Sequence, residues 1–475
     1  MIIGVDVGTT VTKAVLFADD GTPLRRAAEP TRVDRAGDGR YEQDAGAVFA
    51  SVEAVLSRLA ADSAVQGVGI TGQGDGLWLA DAAGAPVRPA VSWLDARGAA
   101  ILATWAADGV LDTLFRRTGT FLFPGAAAPI LAALRDTEPA TLAAAATAGY
   151  CKDLVLQRLT GLRATDPSDA SVPFLDPRTG EYADDLLALC GLTPYRHLLA
   201  PVHRPPMATL TADAAARTGL PAGLPVVAGP YDLPACAWGG GVTEVGDGLL
   251  ILGTTLACQV LTDTVDTSGE PAGLTLCTWE PDRWLRAMPA MVGAAALDWT
   301  LGLVGAGVGD LPALLAASPT GANGVTVLPF LAEAGERAPF VEPRARARVD
   351  GLHLAVTRAD VVRATCEAIA YAARHCLTAA GLTGDLVVCG GGTGSPEWLQ
   401  IFADVLGRPL RALPGDETGA RGAALAARRA LDLPPWPAPA GTVVSPGPAA
   451  PGYEARYKRY LDAIEHARPW WGEHR

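Results

Sequence analysis

A carboxylate follows an apolar run in the segment Gly229-Pro-Tyr-Asp232-Leu-Pro-Ala235, where prolines restrict the backbone. An alcohol is a poor nucleophile at neutral pH, so phosphoryl transfer to an alcohol benefits from a positioned group that accepts its proton. Asp232 could be that group. An aspartate in such a loop is also a common turn or capping residue, so Asp232 alone does not decide between the two roles.

A second carboxylate, Asp6, stands next to a predicted tight turn in Asp6-Val-Gly8-Thr9-Thr10, with Lys13 nearby. The N–H groups and hydroxyls of such a turn can face a phosphate, and the carboxylate can hold a divalent cation. The alternative is an ordinary hairpin with a surface aspartate. A similar turn, Gly253-Thr254-Thr255, occurs far downstream, and this second copy favours a metal-nucleotide site.

A glycine-rich segment, Gly390-Gly391-Gly392-Thr-Gly394-Ser395-Pro396, follows the apolar run 386–389 and precedes a predicted helix over 397–406. Glycines let the backbone approach a nucleotide closely, because they carry no β-carbon. The spacing differs from the dinucleotide fingerprint Gly-x-Gly-x-x-Gly, which would need a glycine in place of Ser395. A Walker sequence is also missing from the chain.

Strands and turns must bring these segments together, and the sequence predicts a duplicated hairpin. Residues 2–7 and 14–17 are β-rich runs joined by the first Gly-Thr-Thr turn. The pair Val260-Leu261 follows the second turn at the same offset as Val15-Leu16 follows the first. This repeated spacing indicates that the two halves of the chain are duplicated domains.

Between the two copies the pattern alternates between strand and helix. Apolar residues over 44–62 have helical spacing, and residues 65–71 return to strand character. Such alternation is typical of an α/β fold with helices on the faces of a sheet. A further helix is predicted near the C-terminus, over about residues 454–467.

A length of 475 residues exceeds what a single core usually accommodates, so two large domains are expected. The glycine-rich stretch 239–248 is a turn-prone connector just before the second hairpin. We therefore predict one domain over residues 1–240 and another over residues 241–475.

The composition excludes several classes of function. Hydrophobic residues make up 49% of the chain and charged residues 19%, which is typical of a well-packed globular protein. The net charge is −13 and the basic residues are scattered, so we expect no nucleic-acid partner. The eight cysteines include no Cys-x-x-Cys pair and are expected to be buried free thiols.

The expected location is the cytoplasm. The N-terminus shows no secretory signal, and no apolar run reaches the ~18–20 residues of a membrane span. We expect no membrane partner and keep a homodimer open as the assembly.

Taken together, these motifs resemble the FGGY family of carbohydrate kinases, which has the sugar kinase, actin and Hsp70 fold, over nearly the whole chain. Further matching segments are Gly72-Gln73-Gly74-Asp75-Gly76, Trp93-Leu-Asp95-Ala-Arg97, Cys151-Lys152-Asp153, Gly335-Glu336-Arg337-Ala338-Pro339, Arg358-x-Asp360-x-x-Arg363-Ala-x-x-Glu367-x-Ile-Ala-Tyr371 and Glu417-Thr-Gly-Ala-Arg-Gly422-Ala-Ala. The resemblance implies two duplicated ribonuclease H-like domains, with the active site in the cleft between a sugar-binding N-terminal domain and an ATP-binding C-terminal domain.

The resemblance also implies roles for individual residues. ATP would be bound by Gly8, Thr9, Thr10 and Lys13, by Gly253, Thr254 and Thr255, and by an adenosine loop of Gly390, Gly391, Gly392 and Ser395, with Gln400 and Asp404 on the helix behind it. Mg²⁺ would lie near Asp6 and Asp232, and Asp232 would be the general base. The sugar hydroxyls would contact Gln73, Gly74, Asp75, Trp93 and Asp232, together with the loop 121–124.

The substrate stays open between a pentulose and a short polyol such as erythritol. Xylulose kinases usually carry Met-His where this chain has Gly74-Asp75, and Asn where it has Leu233. Glycerol kinases usually carry Arg-Glu and Gln at these places, so glycerol is not supported. The segments 71–78 and 164–171 are closer to the erythritol and L-xylulose kinase branch.

Two other classes of function are weighed against a kinase. A nucleotide-binding sensor without catalytic activity would be expected to lose Asp6 or the base Asp232, and both are present. A nicotinamide-dependent oxidoreductase is disfavoured by the glycine spacing and by the missing acidic ribose partner. A carbohydrate kinase is the favoured interpretation.

Overall fold

The computed structural model describes residues 1–35, 37–60, 65–415 and 417–473. The chain divides into two compact units. Unit 1 consists of Met1–Gly241, Asp263–Leu285 and Glu417–Ala438, and unit 2 consists of Val242–Thr262, Arg286–Asp416 and Pro439–Arg475.

The first half of the chain alternates short strands with helices. Its strands are β1 (Ile2–Val7), β2 (Val11–Phe17), β3 (Pro23–Pro30), β4 (Asp34–Arg35), β5 (Tyr41–Gln43), β6 (Gly67–Gly72), β7 (Trp78–Ala80), β8 (Ala90–Val91), β9 (Thr147–Gly149), β10 (Leu175–Asp176), β11 (Glu181–Tyr182), β12 (Met207–Thr209) and β13 (Pro225–Ala228). Its helices are α1 (Ala45–Leu59), α2 (Ala99–Ala107), α3 (Val110–Thr118), α4 (Ala127–Thr137), α5 (Pro139–Ala144), α6 (Cys151–Thr160), α7 (Pro167–Ala170), α8 (Asp184–Leu189), α9 (Ala212–Thr218) and α10 (Asp232–Gly240).

The second half continues in the same way. Its strands are β14 (Gly248–Leu252), β15 (Leu256–Thr262), β16 (Leu274–Cys277), β17 (Trp284–Ala290), β18 (Thr326–Leu328), β19 (Arg348–Asp350), β20 (Leu386–Cys389), β21 (Leu410–Ala412) and β22 (Thr442–Val444). Its helices are α11 (Ala294–Leu303), α12 (Leu311–Ala317), α13 (Arg358–Ala379), α14 (Pro396–Leu406), α15 (Thr418–Ala430) and α16 (Ala450–Glu473).

The main sheet of unit 1 has the strand order β12-β13-β6-β1-β2-β3. Strands β1 and β2 form the predicted antiparallel hairpin, in which Asp6 lies opposite Lys13. Strands β6 and β13 run parallel to β1, so these three neighbouring strands end at the same edge of the sheet.

Helix α1 covers one face of this sheet. It begins after Asp44, whose carboxylate accepts the N–H groups of Gly46 and Ala47. Its apolar residues pack in one core with those of β1, β2 and β6. The helix predicted over 44–62 is confirmed as far as Leu59, and residues 61 and 62 lie outside the described residues.

The sheet strands of unit 2 follow the order β17-β15-β14-β20-β21-β22. Strands β14 and β15 form an antiparallel hairpin around the second Gly-Thr-Thr turn, β20 and β21 are parallel to β14, and β22 is antiparallel. Unit 1 repeats this order from β1 outward through β6, β13 and the antiparallel β12. The shared order confirms the predicted duplication and the α/β fold.

Helix α15 packs in unit 1 through glycines on the strands. A β-carbon built on Gly4 of β1 would lie 1.9 Å from the carbonyl oxygen of Ala420, and one built on Gly69 of β6 would lie 1.9 Å from that of Ala423. No side chain fits into these distances. The helix therefore lies directly against the backbone of both strands, and it also packs against α10.

This packing places residues 417–438 in unit 1, although they lie within the predicted second domain, 241–475. Residues 263–285 also belong to unit 1. The compact units of the structure therefore differ from the predicted domains 1–240 and 241–475 in these two segments, which belong to unit 1. The assignment of sugar binding to the first domain and ATP binding to the second stays a prediction.

The C-terminal helix α16 runs over Ala450–Glu473 and is longer than the predicted 454–467. It continues through Pro469, a residue type that normally favours a helix end. Tyr453 and Trp471, near its two ends, are buried in the core of unit 2, and this burial outweighs the local signal of the proline.

None of the eight cysteines forms a disulfide, as predicted, and all are buried except Cys236, which is half-buried. Within the described ranges, no single helix combines the length and the apolar composition of a membrane span. The segments Ala294–Leu303 and Val308–Ala317 meet both criteria only as a pair bent by 88°.

The contact between α15 and the strands predicts that Gly69→Ala strongly destabilises the protein. The new methyl group would overlap backbone atoms that cannot rotate away, so a loss of more than about 3 kcal/mol is expected. Thermal unfolding measures this loss. Gly302→Ala, at an exposed position of α11 with open space around it, is the control and should be neutral or slightly stabilising. Equal melting temperatures for Gly69→Ala and the wild type would contradict the tight contact.

Candidate active site

The candidate chemical groups of unit 1 follow three neighbouring parallel strands. The turn at Gly8 follows β1, the loop 73–76 follows β6, and residues 229–231 follow β13 and lead to Asp232. Because parallel strands end at one edge, these three loops meet there. The structure therefore brings together the groups that the sequence places far apart.

The first Gly-Thr-Thr turn has its carbonyl groups held from one side. The hydroxyl of Thr31 donates to the carbonyl oxygens of Gly8 at 3.3 Å and Thr9 at 3.1 Å. The backbone N–H of Thr31 donates to the carbonyl oxygen of Thr10 at 2.9 Å. The amide of Gln43 donates to the carbonyl oxygen of Thr9 at 2.9 Å. With the carbonyl groups turned away, the N–H side of the turn can face an anion.

Hydrogen bonds between side chains connect this turn to the loop after β6. The Thr9 hydroxyl donates to Gln73 Oε1 at 3.0 Å and accepts a hydrogen bond from Trp93 Nε1 at 3.0 Å. Gln73 Nε2 donates to Gln43 Oε1 at 2.6 Å. The Thr9 hydroxyl thus links Gln73 and Trp93, and all three are predicted site residues. Gln43 is fully buried and completes the network, although no sequence motif singled it out.

Asp232 is the first residue of α10, whereas the sequence placed it within a proline-rich loop. The loop is shorter than predicted, because Pro234 lies in the first turn of the helix, where its missing N–H costs no intrahelical hydrogen bond. Burial and the nearby carboxylate of Asp6 raise the pKa of Asp232 to about 8, with a smaller contribution from Asp75 and an opposing one from the N–H of Leu233. The predicted base and metal residues therefore lie close together.

Asp6 lies at the amino end of α15. A β-carbon built on Gly419 would lie 2.3 Å from Asp6 Oδ2, so the carboxylate touches the backbone of the first helical turn. The positive end of the helix dipole stabilises a negative charge at this place. Lys13 lies directly opposite Asp6 on β2, so its side chain is on the same face of the sheet.

The loop after β6 has an unusual backbone. Asp75 adopts a φ of 57° and Gly76 a φ of 69°, and this left-handed conformation is uncommon for residues other than glycine. The N–H of Gly76 donates to the carbonyl oxygen of Gly125 at 2.8 Å. Gly74 packs against the ring of Tyr231, where a β-carbon would lie 2.3 Å from Cδ2. The backbone around Asp75 is thus fixed on both sides.

Trp93 is half-buried, and its backbone is in close contact with the chain just beyond the predicted sugar loop, 121–124. A β-carbon built on Gly125 would lie 1.7 Å from the carbonyl oxygen of Trp93. A β-carbon built on Gly98 would likewise lie only 2.4 Å from the carbonyl oxygen of Pro124. These contacts hold the loop 121–124 beside Trp93.

The second Gly-Thr-Thr turn, in unit 2, is built like the first. The N–H groups of Ala294 and Ala295, at the start of α11, donate to the carbonyl oxygens of Gly253 at 2.9 Å and Thr254 at 3.1 Å. Gly293 packs against this turn, with a β-carbon position only 2.4 Å from the Thr254 carbonyl oxygen. As in unit 1, the carbonyl groups are held on one side of the turn.

The predicted adenosine loop follows β20, the parallel neighbour of β14. Gly390, with a φ of 99°, and Gly392 both pack against Leu252, the last residue of β14. β-carbons on Gly391 and Gly394 would meet no described atom within 4 Å. The loop is therefore fixed beside the second turn on one side and open on the other.

Ser395 caps α14 by accepting the N–H of Trp398 at 3.3 Å. Gln400 Nε2 donates to Asp404 Oδ1 at 2.9 Å and to the carbonyl oxygen of Ser445 at 3.0 Å. Asp404 also accepts the N–H of Gly447 at 2.6 Å. The hydrogen bonds of Gln400 and Asp404 thus hold the segment after β22 on α14, and their contact with a nucleotide stays a prediction.

A buried carboxylate, that of Glu336, holds the segment that packs against the second turn. Glu336 Oε1 accepts the N–H groups of Met291 at 2.8 Å, Arg337 at 2.8 Å and Ala338 at 3.3 Å. Met291 lies two residues before Gly293, so Glu336 holds the segment on which the turn rests. Burial raises the pKa of Glu336 to about 7, although the three N–H groups and Arg337 lower it.

Carboxylates are the groups in unit 1 that could hold a metal ion. Among the described residues, no group of three or more His, Cys, Asp and Glu side chains is arranged to do so by itself. Asp6 and Asp232 supply two neighbouring carboxylates. Mg²⁺ commonly binds one or two carboxylates and completes its shell with water and phosphate oxygens, so the residues present fit an ion shared with a nucleotide.

Comparison with known proteins agrees with the resemblance in the sequence. Residues 1–239 match the model of the N-terminal domain of the FGGY family of carbohydrate kinases, and residues 249–431 match that of its C-terminal domain. An erythritol kinase from Brucella abortus (strain 2308) is 32% identical over 99% of this chain and 97% of that protein. A xylulose kinase from Escherichia coli (strain K12) is 30% identical over 91% and 90%. The crystal structure of xylulose kinase from Rhodospirillum rubrum matches with a TM-score of 0.89 at 30% identity, covering 99% of both chains.

The raised pKa of Glu336 predicts a pH-dependent difference in stability. An acid whose pKa rises from 4.5 to about 7 on folding stabilises the folded state below pH 4.5, and this contribution is lost as the pH rises through 7. Glu336→Gln keeps the accepting Oε1 but cannot ionise. Its free energy of unfolding relative to the wild type should therefore increase by about 3 kcal/mol between pH 4.5 and 8.

Urea unfolding at several pH values measures this difference. Glu397→Gln, at an exposed position of α14, is the control for the replacement of a glutamate by a glutamine. A constant difference between Glu336→Gln and the wild type would show that Glu336 does not titrate in this range.

Proposed function

Since the chain belongs to the FGGY family of carbohydrate kinases, we propose that it transfers the γ-phosphoryl group of ATP to a terminal hydroxyl of a small sugar or polyol. The observation that carries this proposal is the meeting of three loops at one edge of the unit 1 sheet. They bring the Gly8 turn, the polar loop around Asp75 and the carboxylate of Asp232 together. A phosphate site, a hydroxyl-binding loop and a base are the parts that such a transfer needs.

ATP is assigned to both Gly-Thr-Thr turns and to the glycine-rich loop of unit 2. In each turn the carbonyl groups are tied to neighbouring backbone or side chains, which supports binding of phosphate oxygens by the N–H groups. The open surface at Gly391 and Gly394 supports close approach of the adenosine.

In the proposed reaction, the hydroxyl oxygen of the acceptor bonds to the γ-phosphorus while the bond from phosphorus to the β–γ bridging oxygen breaks. The hydroxyl proton passes to the carboxylate of Asp232, and ADP leaves. Burial and the nearby charge of Asp6 raise the pKa of Asp232, so its carboxylate binds a proton more tightly than that of an exposed aspartate. When bound near Asp6 and Asp232, Mg²⁺ supplies positive charge that stabilises the phosphate oxygens.

The proposed acceptor has four or five carbons and is a pentulose or a short polyol such as erythritol. The relatives named erythritol kinase and xylulose kinase support this size range. Asp75 is fixed beside Asp232, and its carboxylate can accept hydrogen bonds from two vicinal hydroxyls. Leu233, next to the proposed base, offers no polar contact, whereas xylulose kinases usually carry Asn at this place.

The alternative of a nicotinamide-dependent oxidoreductase is not compatible with membership of the kinase family. A nucleotide-binding sensor would bind ATP without turnover and is tested by the assays below. The cytoplasmic location, the lack of nucleic-acid and membrane partners and the open question of a homodimer stay predictions.

Asp232→Asn is predicted to lower kcat by about 10²- to 10⁴-fold, because an amide cannot accept the proton. Binding of ATP, measured by calorimetry, and the melting temperature should change little. Asp184→Asn, at the first position of α8, is the control, since it changes the same residue type at the same helix position on the surface. A near-wild-type rate for Asp232→Asn would disprove the assignment of the base.

A coupled assay of ADP release identifies the acceptor. We expect the highest kcat/KM among D- and L-xylulose, D- and L-ribulose, erythritol, xylitol and arabinitol, with glycerol at least about tenfold lower. Asp75→Asn should lower kcat/KM for the preferred acceptor while the KM for ATP stays the same, because the amide accepts fewer hydrogen bonds. Glycerol as the best substrate would contradict the proposed size, and no acceptor-dependent ADP release would favour a sensor.

A further inference from the structure

The structure contains a fully buried cluster of charges that the proposed reaction does not use. The ammonium group of Lys152 is 0% exposed and lies 2.8 Å from Asp153, 2.9 Å from Asp166 and 2.9 Å from Asp169. The three carboxylates are at most 2% exposed. Burying such groups costs several kcal/mol per ion, and apolar residues would often give equal or greater stability. Stability alone is therefore a weak reason for this cluster.

The cluster joins the starts of two helices. Lys152 belongs to the first turn of α6, and Asp166 is the N-cap of the short helix α7. One ammonium group thus fixes α7 against α6.

Asp166 in turn fixes the hydroxyl of Ser168, the second residue of α7. It accepts the N–H of Ser168 at 3.1 Å and the Ser168 hydroxyl at 2.9 Å. Because the hydroxyl proton points to this carboxylate, a lone pair of the same oxygen is free to accept another hydrogen bond. The backbone N–H of Tyr231 donates to it at 3.1 Å.

Tyr231 immediately precedes Asp232 and is the N-cap of α10. On the other side of the same peptide group, the carbonyl oxygen of Pro230 accepts the hydroxyl of Thr71, on β6, at 2.6 Å. Both polar groups of the peptide between Pro230 and Tyr231 are therefore held by hydroxyl groups from distant parts of unit 1. The start of α10, and with it the Asp232 side chain, has little freedom to shift.

We propose that Ser168 is a positioning residue for Asp232 and that the Lys152 cluster is the anchor that holds Ser168 in place. This inference rests on the proposed role of Asp232 as the base. Ser168 is fully buried, and it acts through the backbone of Tyr231.

The first test is Ser168→Ala, which removes the acceptor of the Tyr231 N–H. Misplacing a catalytic group by about 1 Å can cost about 10²-fold, so kcat should fall by about 10- to 100-fold. The KM for ATP should stay within about twofold, because the two Gly-Thr-Thr turns and the glycine-rich loop proposed to bind ATP are untouched. Ser318→Ala is the matched control, since its buried hydroxyl also donates to an aspartate, Asp360, at 2.6 Å, and its kcat should equal that of the wild type.

A double variant separates positioning from general loss of structure. If Ser168 acts through Asp232, Ser168→Ala combined with Asp232→Asn should be no slower than Asp232→Asn alone. The inference would be overturned if the double variant were slower than Asp232→Asn by the same factor by which Ser168→Ala is slower than the wild type. It would also be overturned by a wild-type kcat for Ser168→Ala. Should Ser168→Ala fail to fold, Ser168→Cys makes the same comparison, because its sulfur is only a weak acceptor.

The two proposals fail in different ways. A wild-type rate for Asp232→Asn would overturn the assignment of the base and this inference with it. A slow Asp232→Asn together with an unchanged Ser168→Ala would overturn only the positioning role.

Discussion

The parallel pairing of β1, β6 and β13 determines where chemistry can occur in unit 1. Side chains that leave three neighbouring strands at their carboxyl ends reach one edge of the sheet, whatever their separation in the sequence. Asp6, Asp75 and Asp232 are brought close by this geometry, and burial together with the nearby charges of Asp6 and Asp75 raises the pKa of Asp232. Unit 2 uses the same arrangement at β14 and β20, where the second turn and the glycine-rich loop meet.

In both Gly-Thr-Thr turns the carbonyl groups are held by hydrogen bonds from neighbouring residues, an arrangement that the proposed phosphate binding needs. In unit 1, Thr31 and Gln43 hold the carbonyl oxygens, and in unit 2 the first N–H groups of α11 do so. If these turns bind phosphate as proposed, their carbonyl groups need no reorganisation on binding, because they are already fixed on the other side. The two duplicated units therefore fix the carbonyl groups of their turns in the same way, but with different hydrogen-bond donors.

The sequence predicts the parts of the site that are local. Asp6, Asp232, the two turns and the glycine-rich loop each stand beside an apolar run, and strand followed by turn is readable from neighbouring residues. Local patterns do not predict the roles of Gln43, Thr31 and Ser168. These roles depend on hydrogen bonds to segments at least 20 residues away. The start of α10 was missed for a related reason, since prolines beside Asp232 favour both a loop and a first helical turn. The placement of α15 in unit 1 depends on close packing against Gly4 and Gly69, and this packing cannot be predicted from any local sequence pattern.

That placement has a consequence for how the chain is made. Strands β1 and β6 leave the ribosome early, but the helix that lies against them, α15, begins only at Thr418. Unit 1 therefore cannot complete its packing until α15 has been synthesised, and the glycine-lined surface of its sheet stays uncovered in the meantime. The sheet of the nascent unit 1 thus depends on a helix that is synthesised long after its own strands.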